Sequence, residues 1–227
     1  MRSYAQYCPI AKTAEILGDR WSILILRDML VGARHFNGLA RGLPGISRSL
    51  LAKRLRELEA SGLIARAEDG YELTEAGQDL RPIVFAMAAW GARWAFPEPE
   101  PEELDPDVLV WWMHGQMDPE VPPGGKVVVE IEFPDCRAHY WLVLEPDDIS
   151  VCLTDPGFAT DLVLRTSVRT MYLVWMGRRD LREALRAGAI ELAGEPRLVR
   201  AFPRWLRLSP VRPAVVAAMA KQASAAT

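Results

Sequence analysis

No phosphate-cradling glycine loop, G-x-S-x-G elbow, H-E-x-x-H helix or paired-cysteine metal signature occurs in this chain. Nucleotide hydrolysis, acyl-enzyme chemistry and zinc chemistry therefore have no motif to rest on. Cysteine is scarce: Cys8, Cys136 and Cys152 are the three thiols among 227 residues. Long apolar runs are missing too, since a stretch such as Pro82–Ala92 is far short of a bilayer span. The opening M-R-S-Y-A-Q-Y-C-P-I has no apolar signal-peptide core. These absences predict a cytoplasmic chain with reduced thiols, no structural disulfide and no membrane partner. Cys136-x-x-His139 has a suggestive spacing, but on a strand residues three apart point to opposite faces. No metal, no cofactor and no catalytic residue is expected. His35 reads as a core or backbone-contact residue, and Asp147-Asp148 as a solvated turn. The chain is therefore read as a non-enzyme.

Charge is nearly balanced at −3 but unevenly spread. Residues 1–96 carry 13 Lys+Arg and 10 Asp+Glu; the remainder carries 14 and 20. The basic half also holds the most informative stretch, Arg34–Gly62. It reads as a short helix, a Pro-Gly turn and a second helix. In the second helix Leu51, Leu55 and Leu58 share one face, with Ile46 closing the same core. Ser47 suits an N-cap and Gly62 a helix end. Arg48, Ser49, Lys53 and Arg56 fall outside the apolar stripe. A helix backed by leucine, with Ser and Arg at its exposed N-terminal end, has the format of a recognition helix in the major groove. Leu63–Arg66 and Tyr71–Thr74 then read as strands around Glu68-Asp69-Gly70, a hairpin signal. The whole is a winged helix-turn-helix.

Cys8-Pro9, Gly18-Asp19-Arg20-Trp21, Ile25-Leu26-Arg27-Asp28, Arg34-His35-Phe36, Leu43-Pro44-Gly45-Ile46-Ser47, Gly62-Leu63-Ile64 and Leu73-Thr74-Glu75-Ala76-Gly77 occur in that order. Over about Cys8–Trp94 the chain resembles the HxlR-type (MarR-like) transcriptional regulators of bacteria. Gly38 departs from the pattern, standing where the family usually has Glu, and glycine within a helix costs about 1 kcal/mol relative to alanine. The resemblance implies a homodimer on double-stranded DNA, joined through the N-terminal helix and the apolar helix Gly77–Phe96. It also implies thiol sensing as a possible role for Cys8. That thiol precedes the first helix, where thiolate is favoured; packing at the dimer interface is the plainer alternative. Helices are expected over 9–17 and 19–31, the second capped by Asp19.

Pro97–Glu103, P-E-P-E-P-E-E, reads as an extended linker with solvated glutamates. Beyond it the pattern changes. A helix at Asp107–Met117 precedes strands at Val127–Phe133, Arg137–Glu145, Ile149–Asp155 and Asp161–Thr166. Helices Val168–Met176 and Asp180–Arg186, a strand at Ile190–Leu192 and a helix at Glu195–Leu206 follow. Asp161–Ser167, Gly177–Leu185, Gly188–Gly194 and Leu198…Phe202-Pro-Arg-Trp205 resemble the sterol-carrier-protein fold. That fold implies an antiparallel sheet whose helices cover an apolar cavity, here lined by Trp111, Trp141, Tyr172, Trp175, Met176, Phe202 and Trp205. The plainer reading of these aromatics is an ordinary core.

The expectation is thus an α+β chain in four parts. Residues 1–96 form the winged-helix and dimerisation domain, 97–104 the linker, 105–210 the ligand domain and 211–227 a tail with a short helix at Pro213–Lys221. DNA contact is assigned to Arg34, Ser47, Arg48, Ser49, Lys53, Arg56 and Arg66, and an apolar or amphipathic molecule to the second domain. Two alternatives are kept: a lipid or acyl carrier whose winged helix serves protein contacts, and a thiol-redox repressor acting through Cys8.

Overall fold

The computed structural model describes residues 3–121 and 125–225. Residues 1, 2, 226 and 227, at the ends of the expected first domain and tail, lie outside the described residues. The chain divides into two compact units, Met1–Ala88 and Ala89–Thr227.

The first unit runs α1 (Pro9–Leu17), α2 (Ser22–Leu30), α3 (Phe36–Gly42), α4 (Arg48–Ala60), β1 (Ile64–Ala67), β2 (Gly70–Leu73), α5 (Glu75–Gln78) and α6 (Arg81–Trp94), the last continuing across the division. Its core is made of leucines and isoleucines from α2, α3 and α4, with Ile25, Leu26, Leu39, Leu51 and Leu55 fully buried. Each such side chain contributes about 1.5–3 kcal/mol by leaving water. α4 begins as its sequence asks, with the Ser47 hydroxyl accepting the Leu50 N–H at 3.2 Å. α2 does not. It starts at Ser22, after Trp21 in the left-handed region at φ 84°. Asp19 is not its cap, because its carboxylate accepts from Arg54 of α4 at 2.6 Å. The expected Gly77–Phe96 helix is broken into α5 and α6, with Pro82 in the first turn of α6. Gly77 sits where the β1 end passes closest: a Cβ there would meet the Leu63 carbonyl oxygen at 2.1 Å.

The second unit comprises α7 (Pro106–His114), β3 (Val127–Phe133), β4 (Ala138–Leu144), β5 (Ile149–Cys152), β6 (Leu162–Thr166), α8 (Val168–Met176), α9 (Leu181–Arg186), β7 (Ile190–Gly194), α10 (Pro196–Trp205) and α11 (Arg212–Ala225). Five strands form one sheet in the order β5-β4-β3-β6-β7. The sheet is mixed rather than antiparallel throughout, because β6 returns by a crossover and pairs parallel with β3. Val127, Val129, Ile131 and Phe133 of β3 alternate into the core, and Glu130 and Glu132 lie between them on the other face. Two phenols tie α7 down: Tyr140 donates to the Asp107 carboxylate at 2.6 Å and Tyr172 to the Asp105 carbonyl at 3.0 Å. Burial pushes both phenols well above their usual range, and in Tyr140 the Asp107 carboxylate adds to the effect.

Three expectations for the flanks are corrected. Glu98 is not simply solvated. It pairs with Arg178 at 3.0 Å and Arg169 at 3.1 Å, while Arg178 also donates to the carbonyls of Phe96 and Pro97. Pro101–Glu103 forms a 3-10 turn, not an extended segment. The tail helix is longer than Pro213–Lys221, because Val215 and Ala218 are buried and α11 packs on α8.

Candidate nucleic-acid interface

The apolar side of α4 is spent on the core, so its polar side is presented outward. Ser47, Arg48, Ser49, Lys53 and Arg56 are all exposed. Arg54 is the exception among the basic residues of this helix. Its side chain is 12% exposed and bonds Asp19 and Glu57, each at 2.6 Å, so it locks α4 to the turn before α2. Arg48 does not wave freely. It donates to Asn37 Oδ1 of α3 at 2.9 Å, and its guanidinium lies 4.9 Å from the Phe36 ring centroid. The Ser49 hydroxyl is 3.2 Å from that of Ser47. Lys53 lies 3.8 Å from Glu57, an exposed i,i+4 pair worth only a few tenths of a kcal/mol and easily exchanged for a phosphate. Arg56 has no ion-pair partner among the described residues.

The wing is fastened beside this surface. The Tyr71 N–H donates to the Arg34 carbonyl at 2.9 Å. Gly70, at φ 133°, allows that approach, since a Cβ there would sit 2.5 Å from the same oxygen. Arg34 and Arg66 are exposed. Arg66 lies over the Tyr71 ring at 5.3 Å and 3.6 Å from Glu59. His35 is exposed at the start of α3, not in the core. Asn37 was not singled out from sequence. An exposed Asn in the first turn of a short helix was the available signal, but its partner lies 11 residues on, across the turn. Cys8 is a free, half-buried thiol immediately before α1.

In the second unit the seven proposed ligand residues are dispersed. Tyr172, Trp175, Phe202 and Trp205 are buried in the core between sheet and helices. Trp112 packs edge-on against Tyr172. Met176 packs against this core from its margin. Trp111 stacks on His114 at 4.6 Å. Trp141 stacks on His139 at 6.3 Å, on the sheet face opposite the core. Trp205 alone of the seven also borders a charged pocket beside α10. The sterol-carrier resemblance implies an apolar cavity lined by these residues; Tyr172, Trp175, Phe202 and Trp205 lie in the packing between sheet and helices. Cys136 lies in the β3–β4 turn and His139 on β4. His139, Glu130 and Glu132 come within 4.8 Å of one another, but His139 already contacts Glu130 at 3.2 Å and Glu132 lies 3.7 Å from Arg165.

The α4 surface offers guanidinium, ammonium and hydroxyl donors on a rigid helix flanked by a basic wing. It can bind phosphates and read base edges. The family model described as HxlR-like helix-turn-helix matches residues 16–99. The chain is 37% identical over 94 residues to the HTH-type transcriptional regulator sll1512 of Synechocystis sp., covering 38% of this chain and 70% of that one. It is 34% identical over 112 residues to the HTH-type transcriptional regulator YkvN of Bacillus subtilis, covering 45% and 95%. Among solved structures, the quinone-bound YodB from B. subtilis aligns at 32% identity and TM-score 0.36, covering 38% of this chain and 99% of that one.

Proposed function

Because this chain belongs to the HxlR-like helix-turn-helix family, we propose that it is a DNA-binding transcriptional regulator that reads a pseudo-palindromic operator as a homodimer. The observation that carries the reading is α4: three buried leucines behind it, a Ser cap, and Arg48 held by Asn37 and Phe36 at its exposed end. In this reading Arg48 and Ser49 meet base edges, with Ser47 fixing the helix start. Lys53, Arg56 and Arg34 hold phosphates, and Arg66 on the wing reaches the backbone nearby.

Dimerisation is supported by an apolar stripe on α6. Ile83, Met87, Trp90 and Trp94 recur at i, i+4, i+7 and i+11, and are 46%, 47%, 64% and 63% exposed. Tyr7 and Ile10 at α1 are more exposed still. Burying such a stripe against a second copy is the economical outcome. Two-fold symmetry would set the recognition helices about 34 Å apart, one turn of DNA. The second unit is read as a ligand module of sterol-carrier type, on the strength of its single sheet backed by helices.

The test is salt-dependent binding to duplex DNA by fluorescence anisotropy. A regulator of this kind gives a steep linear fall of log affinity with log salt, with a selected sequence well above random DNA. Absence of duplex binding at low salt would overturn the reading and leave the carrier alternative.

A further inference from the structure

The pocket beside α10 has a chemistry unlike the apolar cavity first expected. Arg197, Arg200 and Arg204 recur at i, i+3 and i+7, so they share one helix face, and all three border a cavity of about 390 Å³. Cavities of this size hold small molecules. Among the described residues none of the three guanidinium groups makes an ion pair or hydrogen bond; the same holds for Arg179, Arg182 and Arg186, whereas Arg165, Arg169, Arg178 and Arg207 find acidic partners. Three guanidinium groups left unpaired around one concavity repel each other, and an anion between them relieves that. Val127, Ala201 and Trp205 are the buried residues of the pocket's lining. Trp205 is 3% exposed, and its indole N–H has no partner inside the protein. Acidic groups also stand on the rim, at Glu120, Asp161 and Glu195. Asp161 is partly engaged, accepting the Val128 N–H at 2.8 Å. Lys126 is turned to other partners, lying 3.2 Å from Glu145 and 3.7 Å from the Phe158 ring centroid.

We propose that this pocket binds a small organic anion, a carboxylate or phosphate, through Arg197, Arg200 and Arg204. Guanidinium forks match both anions bidentately, which an ammonium cannot do. The rim carboxylates accept from hydroxyl or amino groups on the same molecule, so a hydroxylated anion fits better than a simple fatty acid. None of the pocket's lining residues belongs to α4.

The experiment uses the full chain, with citrate and pyrophosphate as anionic probes and 1-octanol as a neutral apolar one, followed by calorimetry and tryptophan fluorescence. At least one anion binds once per chain. Arg200→Ala and Arg204→Ala each weaken it by about tenfold or more, Arg200→Lys weakens it less, and Arg182→Ala on α9 leaves it unchanged. Thermal melts confirm that the variants fold. The proposal is overturned if neither anion binds at millimolar concentration, if only octanol binds, or if Arg182→Ala costs as much as Arg200→Ala. It is equally overturned if Arg200→Ala and Arg204→Ala weaken operator binding in probe-free buffer, which would make these arginines contacts for nucleic-acid phosphate.

Discussion

At the residue scale Asp28 carries an internal cost. One carboxylate oxygen accepts from Arg27 at 2.7 Å; the other is buried without a partner. Burial pushes the Asp28 carboxyl from 3.8 up to about 6, with the Arg27 charge opposing. The folded chain therefore holds this proton more tightly than the unfolded chain between about pH 4 and 6. Through that window the group's contribution to stability falls as pH rises, and at pH 7 it costs on the order of 2–3 kcal/mol. Asp28→Asn should stabilise the protein at pH 7.5 and flatten the pH dependence of its urea midpoint between about pH 4 and 6. A variant less stable than the parent at pH 7.5 would contradict this. Arg48 and Lys53 should separate in binding-site selection. Arg48→Ala is expected to cost about 1–3 kcal/mol on the preferred site and relax the base preference, whereas Lys53→Ala weakens all sequences alike and lowers the salt slope. Unchanged sequence logos and affinities for both would remove Arg48 from base readout. Exposure of Arg48, Ser49, Lys53 and Arg56 was legible, because a helix with a leucine stripe has only one side left for them. The tether of Arg48 to Asn37 was not, because it depends on how α3 crosses α4.

Elements were legible where local pattern and tertiary demand coincide. α4 and α8 start where Ser47 and Ser167 can cap them, and β3 ends with its alternation. They were misread where a distant partner intervened. Asp19 is drawn 35 residues along the chain to Arg54, and Glu98 is held by Arg169 and Arg178, some 70 to 80 residues away. No local signal carries such pairings. The parallel pairing of β6 with β3 was hidden for the same reason, since a strand's pattern does not state its neighbour. For α6 the sequence suggested surplus apolar surface, and the exposed stripe gives that surplus an address. Met87→Glu or Trp90→Glu should shift the protein towards monomer in sedimentation and abolish binding to a full palindrome. Binding to a half-site should survive weakly. A monomeric parent at micromolar concentration would dispose of the dimer. Leu55→Ala, by contrast, deletes a wholly buried side chain behind α4 and should cost about 2–5 kcal/mol in chemical denaturation.

On the scale of the whole molecule, a regulator with two units must connect them energetically if the second is to act as an input. The segment that follows α6 is held within the second unit. Arg178 donates to the Phe96 and Pro97 carbonyls, pairs with Glu98 and lies 4.7 Å from the Phe96 ring centroid, while Arg169 donates to the Pro99 carbonyl at 2.9 Å. Rearrangement of α8 and its C-terminal turn is thereby able to bear on the end of α6, the helix proposed to set dimer geometry. Coupling must be reciprocal: a ligand that weakens operator binding tenfold binds the operator complex tenfold more weakly, a coupling of about 1.4 kcal/mol. The expected result is that whichever anionic probe binds the α10 pocket shifts operator affinity, and that DNA shifts probe affinity by the same factor. Arg178→Ala should leave each separate affinity near its parent value while shrinking that shared factor towards one, because it releases the strap without touching either proposed site. Paired anisotropy and calorimetry titrations read both quantities. Equal coupling in parent and variant would show that the strap carries no signal; probe binding that leaves operator affinity unchanged would show that the pocket is not an input to DNA recognition.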